Sequence, residues 1–146
     1  MASAAEASAA IRAAYETYIG ELKQAGPVWD KKPGTAGEGE DSWCAREVAE
    51  HIAGSGPFFG AGLAQAIGVD GPTPARIALP EAPAAAAETQ RAHGLLMGVV
   101  DQIKDDHLAI EIDHPRLGKQ TVAGILGILS YHYNDHANQL KTLRTS

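Results

Sequence analysis

His132 and His136 stand four residues apart in the stretch Tyr131-His132-Tyr133-Asn134-Asp135-His136. On a helix that spacing puts two imidazoles one turn apart on the same face, close enough to grip a single metal ion. A third candidate, His51, lies upstream in Trp43-Cys44-Ala45-Arg46-Glu47-Val48-Ala49-Glu50-His51-Ile52, a second helical pattern. Three neutral imidazoles leave a divalent metal with an open position, the arrangement of catalytic rather than structural sites. Such a position acidifies a water or a thiol, so hydrolysis and thiol transfer both fit.

Other metal patterns fail on their own chemistry. The spacing from His132 to His136 is that of a zincin, but Tyr133 stands where a zincin needs its general-base glutamate. Glu111-Ile112-Asp113-His114 has the Glu-x-x-His spacing of di-iron bundles, yet it precedes Pro115 in an extended stretch and has no second copy. A mononuclear site is therefore expected. A single histidine on an apolar face is ordinarily a core residue bonded to a neighbour. Two on one face, with a third on another helix, are costly to bury unless something such as a metal satisfies their ring nitrogens.

The elements that must position these residues follow from periodicity. Residues 4–24 carry Ile11, Tyr15, Tyr18, Ile19 and Leu22 at helical spacing, and Gly26-Pro27 ends that helix. Residues 28–42 lack periodicity and read as a loop, with Trp29 and Trp43 pinning its ends. The second helix starts near residues 42–45, where Cys44 and Glu47 have the spacing of a capping box, and it stops at Gly68. Gly54-Ser55-Gly56-Pro57 is expected to bend or interrupt it. Cys44 is expected to be an inert cap rather than a reactive thiol, since no base is visible beside it. Residues 69–80 form a loop, and 81–105 a third helix with Pro83 in its first turn.

Residues 108–113 alternate weakly and predict a short extended segment, closed by His114-Pro115 and Gly118. The last helix starts at Thr121 as N-cap and runs to about Leu143. Ile125, Leu129, His132, His136, Leu140 and Leu143 share an arc of roughly 120°, which aims both histidines at the core. Glu47, Asn138 and Gln139 read first as solvated or capping polar residues, with orienting a ligand imidazole or a substrate as the alternative. His93 is a candidate for a supporting group or a fourth ligand. Tyr131 and Tyr133 project away from the histidine face and suit packing or a dimer contact, whereas His107 and His114 read as solvated loop residues. The expected architecture is an all-α, antiparallel four-helix bundle in a single domain spanning residues 1–146.

A net charge of −6 and a pI near 5.4 argue against nucleic acid as a partner, and the 12 scattered basic residues argue against a membrane surface. No apolar run is long enough to span a bilayer, and the start of the sequence lacks the basic region of a secretory signal. One cysteine suits a reducing compartment. A cytoplasmic protein acting on a small-molecule substrate is expected.

Residues 43–53 resemble the second-helix signature of the DinB-like superfamily, and residues 121–132 with His136-Ala137-Asn138-Gln139-Leu140 resemble its last helix. The likeness extends in element order over about residues 10–143. It implies a four-helix bundle, often a homodimer, with a divalent metal (nickel, zinc or iron) on His51, His132 and His136. It also implies one of several activities. Some members are transferases that use the low-molecular-weight thiols mycothiol, bacillithiol or glutathione, others resemble metal-dependent hydrolases, and others are bundles of unknown function. Cys44 stands where the family commonly has Ser or Thr.

Overall fold

Ser3 and Glu6 begin the first helix by reciprocal capping: the Glu6 N–H donates to Ser3 Oγ at 3.1 Å and the Ser3 N–H to Glu6 Oε1 at 3.0 Å. In the computed structural model, which describes residues 2–34 and 39–146, this helix is α1 (Ala4–Leu22). It is followed by α2 (Ala45–Ile67), α3 (Ala82–Val100) and α4 (Val122–Thr145), which together make a four-helix bundle. α1 packs chiefly on α4, and α2 on α3. The core between them holds Ile11, Tyr18, Val48, Ile52, Leu96, Ile125 and Leu140, at the helical spacings expected.

The loop between α1 and α2 is tied down at both ends, although residues 35–38, including Gly37 of the predicted loop, lie outside the described residues. Trp29 is buried and donates its indole N–H to the Leu79 carbonyl at 3.0 Å, joining this loop to the one that leads into α3. The Trp29 carbonyl also accepts the Arg46 N–H at 2.9 Å, satisfying one of the unpaired donors in the first turn of α2. Cys44 is the fully buried residue at the start of that helix, and its own N–H donates to Glu47 Oε1 at 3.2 Å. At the other end Gly68 adopts φ 76°, a left-handed stop that glycine takes without strain.

Three elements depart from expectation. α2 is not interrupted at Gly54-Ser55-Gly56-Pro57; it runs through Pro57 without a break. The glycines there serve close packing rather than a stop. A Cβ on Gly56 would lie 3.2 Å from the Ala92 carbonyl oxygen, and one on Gly60 would lie 3.6 Å from the Leu96 Cα, so both let α3 approach. α3 ends at Val100 instead of continuing to residue 105. Acidic Asp101, Asp105 and Asp106 are unfavourable at a helix C-terminus, and two of them are used elsewhere. Asp101 pairs with Arg12 at 2.6 Å, and Asp105 Oδ1 accepts the Ala4 N–H at 2.8 Å, so both brace the start of α1.

The predicted extended segment is a two-stranded antiparallel hairpin, β1 (Glu111–His114) and β2 (Gly118–Thr121), with Glu111 opposite Thr121 and His114 opposite Gly118. The segment just before it closes the N-terminus of α4. The Val122 and Ala123 N–H groups donate to the Ile110 and Leu108 carbonyls at 2.9 and 3.0 Å, and Gly124 N–H to Thr121 Oγ1 at 3.0 Å. Among the described residues, no helix is long and apolar enough to cross a membrane.

Candidate metal centre

His51 from α2 and His132 and His136 from α4 converge at one point. The His51 and His132 Nε2 atoms are 2.8 Å apart, and all three rings lie within 4.7–5.1 Å of one another, centroid to centroid. Nitrogens held about 2.0–2.1 Å from one ion lie about 3 Å apart, so this spacing suits a shared cation. His136 is fully buried and His132 and His51 half-buried, as expected of residues on the inner stripes of their helices.

A fourth group joins them that sequence reasoning did not select. Glu40, on the short turn Gly39–Ser42 before α2, places Oε1 3.4 Å from His136 Nε2 and 3.7 Å from His51 Nε2. One donor atom from each of Glu40, His51, His132 and His136 falls within 4.8 Å of the others. Its only sequence signal is an acidic stretch ahead of Trp43, in a glycine-rich loop without periodicity.

Gln139 fixes how His136 presents itself. The Gln139 Nε2 donates to the Glu40 backbone carbonyl at 2.7 Å, and a carbonyl can only accept. The amide oxygen therefore faces His136 Nδ1, 2.7 Å away, and an amide oxygen also only accepts. Nδ1 of His136 therefore carries a proton, and in the neutral ring Nε2 presents a lone pair to the cluster. That lone pair faces the Glu40 carboxylate across 3.4 Å. Two electron-rich groups so close repel unless a metal ion or a proton on Nε2 lies between them, and with the other two imidazoles they form a donor set that fits a divalent metal.

Burial supplies the matching protonation state for the other two rings. It pushes the His132 pKa down to about 3, helped by the neighbouring His136 and His51. It lowers His51 as well, with His136 and Arg116 adding to the effect and Glu40 opposing it. Neutral imidazoles are the form a metal requires. Trp43 closes one side, its ring near-parallel to His136 at 6.3 Å and tilted against His51 at 5.0 Å. It walls the site as well as ending the loop. On the other side a cleft of about 1210 Å³ opens from Glu40, His51 and His132.

The remaining candidates lie outside the cluster. His93 is neither a fourth ligand nor a partner of the cluster: its Nδ1 lies 2.9 Å from the Tyr133 hydroxyl, and its ring stacks on Tyr15 at 3.7 Å. Tyr133, in the place of the zincin glutamate, is buried in that packing, while Tyr131 is exposed. Glu47 pairs with Lys32 and caps α2 rather than touching His51. Asn138 is exposed, so of the polar residues after His136 only Gln139 orients a ring. His107 lies on a short turn and accepts the Lys104 N–H at 2.9 Å. His114 is half-buried rather than freely solvated; it packs on Phe59 at the edge of the cleft, with ring centroids 5.4 Å apart.

The sequence pattern of the DinB superfamily matches residues 3–140. No curated protein matches the chain. Among solved structures, TT2238, described as a four-helix bundle protein, superposes with a TM-score of 0.67 at 23% identity, covering 95% of this chain and 98% of that one. At that identity the likeness establishes the bundle fold and leaves the chemistry to the site itself.

Proposed function

The chain belongs to the DinB superfamily, and we propose that it is a metal-dependent enzyme acting on a small molecule by thiol transfer or hydrolysis. His51, His132 and His136 would hold one divalent ion (nickel, zinc or iron), with Glu40 as an additional carboxylate at the mouth of the site. The observation that carries this reading is the setting of His136. Gln139 holds Nδ1–H and turns Nε2 toward the Glu40 carboxylate and the other two imidazoles, four donor atoms that suit one cation.

A divalent ion on this donor set supplies Lewis acidity toward a water or a low-molecular-weight thiol. The chain's own residues do the rest. Gln139 holds His136 in the binding tautomer and ties it to the loop that carries Glu40. Trp43 and the bundle core exclude water from one side, so the charges there act in a medium of low polarity. Glu40, 54% exposed on its side chain, can swing toward solvent and accept a proton from an incoming group.

Glu40 also supports a second reading. Three histidines and a carboxylate complete a four-ligand set, as in closed structural sites, which would make the protein a non-catalytic metal-binding module. Cobalt-substituted protein separates the two. In the enzyme reading, 2-mercaptoethanol or azide changes the visible cobalt spectrum, and the response strengthens in Glu40→Gln. A spectrum that neither probe alters in either protein would leave only the closed site.

A further inference from the structure

We propose that the cleft beside the histidine cluster binds a small molecule with an apolar body and an anionic group, and that the β1–β2 hairpin is the arm that holds it. This assigns a substrate class to the proposed site and so rests on that reading. A volume of about 1210 Å³ is ample for a metabolite-sized ligand.

Apolar surface is the first observation. Phe58 is 38% exposed and Leu117 41% exposed, and both line this cleft together with Phe59. Large apolar groups left in water at a concave surface mark a binding site more often than an accident. Charge is the second. Of the acids around the cleft, Glu47 pairs with Lys32, Glu50 accepts from Arg46 and from the Leu79 N–H, and Glu40 belongs to the histidine cluster. Arg76 and Arg116 line the same cleft, and among the described residues no carboxylate pairs with either. In a chain of net charge −6, two guanidinium groups lining one cleft without a carboxylate partner favour an anion.

The hairpin is built to keep Arg116 and Leu117 there. His114 Nδ1 accepts the N–H groups of both residues, each at 3.1 Å, and Gly118 closes the turn at φ 72°. The His114 ring stacks on Phe59, 20° from parallel, and meets Phe58 edge to face, which docks the hairpin tip on α2. With Nδ1 accepting, the neutral ring carries its proton on Nε2, and that buried N–H has no partner among the described residues. Arg116 lines the same cleft as His51 and His132. An anion paired with Arg116 would therefore sit within reach of the site.

The test uses 4-phenylbutyrate and its uncharged amide as probes, titrated by calorimetry into the full chain with zinc and after removal of zinc by chelation. The acid should bind at least about tenfold more tightly than the amide in both forms. Arg116→Gln should remove that preference, and Arg116→Lys should keep most of it. Equal binding of acid and amide would overturn the proposal, as would binding that needs zinc and ignores Arg116, since the carboxylate would then simply ligate the ion. Zinc uptake is measured on the same samples. Absent zinc with Arg116-dependent binding retained would sink the metal reading alone; zinc bound without acid preference would sink this one alone.

Discussion

The side-chain amide of Gln139 decides what His136 Nδ1 can do, because its nitrogen meets a carbonyl that can only accept and its oxygen is thereby turned to the ring. Replacing it with alanine should weaken metal affinity by about 10–100-fold, with Gln139→Glu retaining most of it, in competition titrations against a chelator. An unchanged affinity in the alanine variant would remove Gln139 from the site. The three histidines were legible in the sequence because spacing on apolar stripes fixes which way a helical side chain points. Glu40 was not, since a loop acid has no periodicity and its position depends on a hydrogen bond made 99 residues later in the chain.

His93 is the residue whose environment the sequence left ambiguous between ligand and support. Burial lowers its pKa to about 4, with Arg12 reinforcing the effect and Asp101 opposing it. A histidine depressed in the folded state takes up its proton more readily when unfolded, so its stabilising contribution is complete above about pH 6.5 and is lost as pH falls toward about 4. The urea midpoint of the metal-free protein should therefore drop across that interval, and less so in His93→Gln. A midpoint with the same pH dependence in both proteins would contradict the assignment of His93 to the Tyr15–Tyr133 packing.

At the level of elements, Thr121 caps α4 and Gly68 stops α2 as the sequence indicated, whereas Gly54-Ser55-Gly56-Pro57 does not interrupt α2. Ser3-to-Glu6, Gly68 and Thr121 bound helices where their side chains or backbone satisfy terminal groups. Gly56-Pro57 carries the same local signature as a helix stop, yet tertiary contact uses the missing side chain to seat α3 against α2. Gly56→Leu should accordingly destabilise the protein by about 1–3 kcal/mol through overpacking, measured by chemical denaturation. If Gly56 were instead a tolerated hinge, the variant would be neutral. The second strand of the hairpin escaped sequence reading because Gly118-Lys119-Gln120-Thr121 has no apolar residue to alternate. Its strands are held by pairing, and by His114 against Phe59, more than by a buried face.

Across the whole molecule, the two long-range pairings of α1 with α4 and α2 with α3 bring α2 and α4 close enough for three histidines to meet. Burying them beside a carboxylate is a cost the bundle bears without gain to its core, which is what a binding function predicts. A bound ion should return that cost as stability, raising the melting temperature with metal concentration. The most direct check is elemental analysis of protein purified without an affinity tag, set beside His51→Ala, His132→Ala and His136→Ala. About one divalent ion per chain in the wild type, and a substoichiometric content in each folded variant, is the expected result. Equal metal in wild type and variants, or none in the wild type after purification and zinc reconstitution, would contradict a metal centre on these three histidines.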